Sequence, residues 1–186
     1  MFKALSFLLS VILLASVLIY HSYKMRGSIK TLVFVIISGS IGLIVELVGV
    51  TSGGYGYIGY TLIMVNLLTT FGWIANVYLA MHLTLVILDK YCKDVLSPKE
   101  AFQLGLTAGL IGVIYDLFTD PVSTALKIWT WSTEGFWFGV PVQNFIGWYL
   151  ILSFSITGYH LTLFYGKTNK QKFILALVVG LVSSII

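Results

Sequence analysis

Long apolar runs, separated by short polar connections, dominate the 186-residue chain. Most of these runs reach the length of about 20 residues that crosses the roughly 30 Å hydrocarbon core of a bilayer as an α-helix. Alternating segments of about ten residues, which are typical of a membrane β-barrel, do not occur. We therefore predict an all-α, polytopic membrane helix bundle with about six transmembrane helices in a single integral membrane domain, residues 1–186. The predicted spans are 4–20, 31–51, 62–88, 99–119, 142–165 and 173–186, the last of which is short for a full crossing.

The charges of the connections predict how the bundle is oriented. Connections 21–30, 89–98 and 166–172 each carry two or three lysine or arginine residues, whereas 52–61 carries no charge and 120–141 has a single lysine. Because basic connections face the cytoplasm, we expect the two other loops on the extracytoplasmic side of the cell membrane. The same rule accounts for the net charge of +4, so no nucleic-acid partner is expected.

The first span is predicted to be retained rather than cleaved. It resembles the apolar core of a signal peptide but continues into His21, Lys24 and Arg26 without a small-residue cleavage pattern. The single cysteine, Cys92, lies in a basic connection, which excludes a disulfide within the chain and a cysteine-based metal site. The oligomeric state stays open at this point, a homo-oligomer included.

Spans two and four have similar sequences, which indicates an internal repeat. Gly39-Ser-Ile-Gly-Leu-Ile-Val-Glu46 matches Gly109-Leu-Ile-Gly-Val-Ile-Tyr-Asp116 at a constant offset of seventy residues. Since the copies start two spans apart, they cross the bilayer in the same direction and form a parallel repeat. The predicted halves are about 31–88 and 99–165, with Glu46 and Asp116 at the same depth.

Three acidic residues lie in or next to spans that carry few other charges. An ionised carboxylate costs at least about 2.5 kcal/mol at the centre of a membrane helix, so these side chains are expected to face a cavity or a partner, or to hold a proton. Asp116 and Asp120 are one helical turn apart, and their mutual repulsion predicts that one of them is protonated at neutral pH. We identify Asp116, Glu46 and Asp120 as the candidate catalytic residues. The alternative is that they cap helix ends or bind interfacial rings, and that Asp120-Pro121 is a helix-exit turn.

Glycines share the helical stripes that carry these acids. Small residues let helix backbones approach closely in lipid. The stripes are therefore expected to pack spans two and four, through Gly39, Gly42, Gly49, Gly105, Gly109 and Gly112.

The two loops on the predicted outer side are rich in aromatic residues. Rings at this level are ordinary membrane anchors, but here they could also roof a long apolar pocket and stabilise a cation beneath them. Asn144 follows a glycine-proline turn and could orient a water molecule. The candidate substrate-binding residues are Asn144, Trp148, Trp129, Trp131, Trp137, Tyr115, Tyr55, Tyr57, Trp73 and Asn76.

No metal site and no cofactor are expected. No cluster has metal-ligand spacing, no glycine-rich phosphate loop follows a strand, and no serine lies in a nucleophile elbow. His82 and His160 lie towards the other end of the bundle and are interpreted as packing or interfacial residues.

Three segments resemble a known family: "IYDLFTDP", "WTW" and "GFWFGVPVQNFIGW". They are similar to the membrane carotenoid biosynthesis family that includes carotenoid 1',2'-hydratases and bisanhydrobacterioruberin hydratases of archaea and bacteria. Residues 139–148 are the most specific part, and the resemblance covers about residues 39–165. It implies a prokaryotic membrane enzyme that adds water to a terminal C=C bond of a linear carotenoid. It also matches Asp116 and Asp120 to the family's acidic stretch, Glu46 to an earlier membrane acid, and Asn144 and Trp148 to an aromatic turn.

The chemistry predicted from the residues agrees with this implication. A protonated Asp116 would give a proton to the alkene, Glu46 or Asp120 would take one from water, and the loop aromatics would stabilise the carbocation. The expected partners are a lipid-soluble carotenoid or isoprenoid and the bilayer itself. Three alternatives stay open: a lycopene-type cyclase with the same protonation step, a proton-coupled transporter, and a non-catalytic membrane subunit.

Overall fold

The computed structural model describes residues 2–91, 93 and 95–182, so the prediction for Cys92 falls outside the described residues. The fold is 78% helical, which confirms the predicted all-α membrane helix bundle. The helices are α1 (Phe2–Arg26), α2 (Ser28–Thr51), α3 (Leu62–Ile87), α4 (Pro98–Ala125), α5 (Val142–Tyr165) and α6 (Asn169–Val182). Two short strands, β1 (Tyr55–Tyr57) and β2 (Trp129–Trp131), lie in the loops after α2 and α4.

Within the described residues, four helices are both long and apolar enough to cross a membrane, and they contain the segments Leu5–Arg26, Ser28–Thr51, Leu62–Ile87 and Pro98–Ala125. Helix α5 has 24 residues, which extends about 36 Å at 1.5 Å per residue. Helix α6 has 14 described residues. The protein is therefore an integral membrane protein.

The first two helices are separated by a single residue. Helix α1 continues to Arg26, well beyond the predicted end at residue 20, and α2 begins at Ser28. Gly27 between them has φ 81°, a conformation that only glycine adopts at no steric cost. The chain therefore reverses direction within one turn at the basic end of the bundle.

Helix α4 does not end at Asp120-Pro121, so the exit turn considered from the sequence is wrong. The helix continues through Pro121 to Ala125. Proline lacks an N–H group, which frees the carbonyl oxygen of Leu117, four residues earlier. The indole N–H of Trp137 donates to that oxygen over 2.9 Å and replaces the missing bond. The loop after α4 thus stabilises the last turns of the helix that carries Asp120.

The glycine stripes of α2 and α4 pack against α3 and α5 respectively. A Cβ atom on Gly42 would overlap with Cβ of Trp73 on α3, and one on Gly105 would lie 2.6 Å from the Ser153 carbonyl on α5. Neither helix pair could come this close with larger residues. The stripes therefore join each acid-bearing helix to the helix that follows it in the chain.

The loops after α2 and α4 pair with each other, which the sequence did not predict. Strands β1 and β2 form an antiparallel ribbon with Tyr55 opposite Trp131, Gly56 opposite Thr130 and Tyr57 opposite Trp129. The backbone bonds from Ile58 to Ile128 and from Ser132 to Gly54, both 3.0 Å long, extend the pairing at its two ends. This ribbon closes the end of the bundle at which α2 and α4 finish.

A polar cluster lies at the opposite end, where α1 meets α2, α3 and α5. His21 Nδ1 is 2.6 Å from the Tyr78 hydroxyl, and Arg26 donates to the Tyr159 hydroxyl over 3.4 Å. His82 lies beside this cluster, with Nε2 3.5 Å from the Arg26 guanidinium. These contacts fasten the last turns of α1 to the bundle.

Candidate active site

A cavity of about 900 Å³ lies directly beneath the ribbon. Helices α1 to α5 and both strands contribute to its walls, which are mainly apolar. Its volume is near the upper end of the range of about 300–1,000 Å³ that is typical of small-molecule sites. Eleven of the residues proposed from the sequence line it: Glu46, Tyr55, Tyr57, Trp73, Asn76, Tyr115, Asp120, Trp129, Trp131, Asn144 and Trp148.

Glu46 is held from both sides by aromatic donors. The Tyr57 hydroxyl donates a short hydrogen bond to Oε1, and the Trp73 indole N–H donates to Oε2 over 3.3 Å. Burial, and then the negative charge of Glu46, raise the pKa of Tyr57 well above its usual value of 10.0, so this hydroxyl keeps its proton. Tyr55 is shifted in the same direction for the same reasons. Each carboxyl oxygen of Glu46 therefore has a fixed donor.

Asp116 and Asp120 meet at a single amide group. Asn144 Nδ2, near the start of α5, donates to Oδ2 of Asp116 and to Oδ2 of Asp120, each over 2.6 Å. An amide nitrogen carries two hydrogens, and here each hydrogen is directed at one carboxyl. Asn144 therefore ties both acids of α4 to α5 and brings them close together.

The two aspartates differ in their access to the cavity. Asp120 lines it and is 3% exposed, whereas Asp116 is 0% exposed and is not part of the lining. Oδ1 of Asp116 is buried without a hydrogen-bond partner in the described part of the chain. Glu46 and Asp120 thus face one cavity, and Asp116 lies behind Asp120, one turn deeper in the helix.

Aromatic rings surround the two acids that face the cavity. On the ribbon, Tyr55 packs against Trp131 with ring centroids 5.1 Å apart, and Tyr57 packs against Trp129 at 5.7 Å. On the helices, Trp73 of α3 packs against Trp148 of α5 at 4.6 Å. The cavity therefore has an aromatic wall on the ribbon side and another between α3 and α5.

The structure places Trp137 outside the cavity lining, in contrast to the expectation that it contacts substrate. Its indole is occupied by the Leu117 carbonyl on α4. The neighbouring Phe136 and Phe138 are exposed and also lie outside the lining. Of the five aromatic residues that the sequence singles out in the long loop, Trp129 and Trp131 line the cavity, together with their neighbours Ile128, Ser132 and Thr133.

Helix α1 contributes lining residues that the sequence reading missed. Phe7, Val11 and Leu14 border the cavity opposite the acids. These are ordinary apolar residues of a membrane span, and no motif distinguishes them from the lipid-facing residues beside them. Their role follows from the packing of α1 against α3, which brings Val11 to within 3.9 Å of a Cβ position on Gly72.

The chain was compared with known proteins. No curated protein and no solved structure matches it. A family model described as carotenoid biosynthesis protein matches residues 2–185, which is nearly the whole chain. The chain therefore belongs to the carotenoid biosynthesis protein family.

Proposed function

We propose that this protein is a hydratase that adds water to a terminal C=C bond of a linear carotenoid. Membership of the family gives it a role in carotenoid biosynthesis and a lipid-soluble isoprenoid substrate. The observation that carries the finer proposal is that Glu46 and Asp120 face one apolar cavity beneath aromatic rings. Two carboxyls in such a cavity are suited to general acid and general base chemistry.

The proton comes from the Asp116–Asp120 pair. Two carboxyls that converge on one amide cannot both be ionised without strong repulsion, so the pair holds a proton. Asp120 delivers it, because only Asp120 lines the cavity, and Asp116 is the positioning residue behind it. This reverses the assignment made from the sequence, in which Asp116 is the donor.

The reaction balances with water alone. The alkene π electrons take the proton onto the less substituted carbon, which leaves a tertiary carbocation. A water oxygen bonds to the cation, and Glu46 accepts the proton released from that water. Proton return from Glu46 to the aspartate pair through solvent resets the site. Ring faces of Trp129 and Trp131 stabilise the cation in between.

Packing within the bundle supports an enzyme over a proton-coupled transporter. A transporter needs a route from the acids to the other side of the membrane. Below the cavity, the core contains apolar side chains that are 0–1% exposed, among them Ile37, Ile41, Val77 and Ile156. We place the acids and the ribbon on the extracytoplasmic side of a prokaryotic cell membrane, since the basic connections lie at the opposite end.

The test is production of hydrated pigment in cells that accumulate linear carotenoids. The wild-type protein should give a product heavier by one water, whereas a cyclase would give an isomer of unchanged mass. Asp120→Asn should lower the yield by about 100-fold or more, the usual contribution of a general acid. Asp89→Asn is the matched control, because Asp89 is exposed and has φ 52°, a conformation that asparagine tolerates. Undiminished hydration by Asp120→Asn would refute the assignment.

A further inference from the structure

We propose that the cavity opens sideways into the bilayer between α1 and α4, and that it takes in only the reacting end of a long isoprenoid chain. The rest of the chain stays in the lipid. The inference rests on the proposed function and adds to it a route of entry and a rule for substrate specificity.

The opening is marked by residues that line the cavity and are also exposed on the outside of the bundle. Leu14 on α1 is 46% exposed and Phe118 on α4 is 70% exposed, yet both belong to the lining. Val122, one turn after Phe118, is a third such residue. Side chains that line the cavity and are also exposed on the outside of α1 and α4 lie where the cavity wall meets the outer surface of these two helices.

The packing of the helices leaves this side free. Helix α1 packs against α2 and α3, whereas α4 packs against α3 and α5. Helix α3 therefore forms the back of the cavity through Leu68, Gly72 and Trp73, with α1 and α4 on either side of it. The gap is bordered by α1 and α4, which are two of the helices that are apolar enough to span the membrane.

The chemistry of the rim selects a ligand that arrives from lipid. Phe7, Leu14, Phe118 and Val122 present only hydrocarbon at the opening. At the aqueous end, Tyr55 and Trp131 of the ribbon pack together, and the exposed lining residues there, Ser132, Thr133 and Gln143, are polar. The buried acids, Glu46 and Asp120, lie on the inner side. A hydrocarbon chain that enters between α1 and α4 therefore presents its end to the acids.

The attachment of α1 suits it to border such an opening. Hydrogen bonds from His21, Ser22 and Arg26 fasten one end of the helix to α2, α3 and α5. The half of α1 that borders the cavity contributes apolar side chains, Phe7, Val11 and Leu14. The helix is thus fixed at the basic end, and its described side chains that line the cavity, Phe7, Val11 and Leu14, are all hydrocarbon.

Specificity follows from this arrangement. The part of the isoprenoid that stays outside the opening lies among lipid tails, both before and after binding. Its length therefore adds little to the binding free energy. The protein should therefore recognise the chain end and tolerate different lengths beyond it. A site that encloses its whole ligand would instead reject chains that are too long.

The first experiment narrows the opening. The protein is purified in phosphatidylcholine nanodiscs, incubated with lycopene, and the retained pigment is measured by absorbance. Leu14→Trp should lower the affinity for lycopene by about tenfold through steric overlap, whereas Leu13→Trp should leave it unchanged. Leu13 is the matched control because it is exposed on the same helix but does not line the cavity.

A second matched pair lies on α4: Val122→Trp changes a lining residue and Leu110→Trp an exposed residue outside the lining. Lycopene binding is compared only between variants that elute as the wild type does in size-exclusion chromatography. Equal binding within both pairs would overturn the proposal.

The second experiment varies the chain length. Squalene ends in the same dimethyl-substituted alkene as lycopene but is shorter, and it should compete for the site with an affinity within about threefold. Lycopene binding more than about tenfold weaker than squalene binding would mean that the whole isoprenoid must fit in the cavity, and would overturn the proposal.

The opening towards the bilayer and the proposed hydratase activity can be refuted separately. Lycopene binding that is blocked by Leu14→Trp without any hydrated product leaves the opening in place and refutes the hydratase. Hydrated product formed equally by Leu14→Trp and Leu13→Trp refutes the opening alone.

Discussion

The half of the bundle that contains α2, β1 and α3 holds its acid differently from the half that contains α4, β2 and α5. In the first half, one carboxyl, Glu46, receives hydrogen bonds from two donors, Tyr57 and Trp73. In the second half, two carboxyls, Asp116 and Asp120, share the single amide of Asn144. In the first arrangement each carboxyl oxygen has its own donor, which stabilises a negative charge. In the second, two carboxyls share one amide, which favours a retained proton.

The two halves nevertheless have corresponding parts. Each runs from an acid-bearing helix through a three-residue aromatic strand to a second helix, and the two strands pair with each other. Trp73 of α3 and Trp148 of α5 are in ring contact between the halves. The parallel repeat of about 31–88 and 99–165 stays a prediction. One scaffold used twice, with different hydrogen-bond partners, would then supply both a base and an acid.

Among the variants that test this comparison, the largest effect is expected when one of the two carboxyls that share Asn144 is removed. Asp116→Asn should lower hydration by about 100- to 10,000-fold, because the remaining carboxyl no longer has a like neighbour that makes it hold a proton. Product mass in carotenoid-accumulating cells measures the loss, and the melting temperature of the purified variant checks that the bundle is intact. An active Asp116→Asn variant would remove the difference between the halves.

A smaller effect is expected from removing donors, and the two halves should respond unequally. Asn144→Leu deletes two hydrogen bonds to carboxyls and should reduce activity by about 10- to 100-fold, whereas Tyr57→Phe deletes one of the two donors to Glu46 and should reduce it by about tenfold. Initial rates of both variants on one carotenoid preparation give the ratio. A greater loss in Tyr57→Phe than in Asn144→Leu would contradict the comparison.

The smallest effect concerns stability at high pH. Burial and the charge of Glu46 raise the pKa of Tyr57, so the unfolded chain ionises this hydroxyl above its usual value of 10.0 while the folded protein keeps it neutral. The contribution of Tyr57 to the free energy of unfolding is therefore full below about pH 10 and falls as the pH rises further. The melting temperature is measured in detergent at about pH 8 and at about pH 11. Its decrease between these two pH values should be smaller in Tyr57→Phe than in the wild type. Tyr23→Phe, at an exposed residue of α1, is the control and should behave as the wild type does.

Periodicity and charge predicted the helices and the acid stripe well, because both depend on local sequence. Gly105, Gly109, Gly112, Asp116 and Asp120 are all buried on one face of α4, as their spacing predicts. The resemblance of residues 39–165 to a carotenoid biosynthesis family is confirmed and extends over nearly the whole chain.

The features that were missed depend on contacts between distant residues. Strands of three residues are too short to show a period, and the partner of Gly56 is Thr130, far along the chain. The extension of α4 beyond Pro121 needed a donor twenty residues after Leu117. The difference in cavity access between Asp120 and Asp116 depends on how several helices pack around the cavity, which the sequence of α4 alone does not predict.

The hydrogen bond from the Trp137 indole to the Leu117 carbonyl couples the conformation of an exposed loop to the helix that carries the buried Asp120. Pro121 leaves a gap in the hydrogen bonding of α4 immediately beside Asp120, and a ring outside the cavity fills it. A change in this loop could therefore move the carboxyl without touching the ligand. Variation at Trp137 would then alter the rate of the proposed hydration while the set of accepted ligands stayed the same.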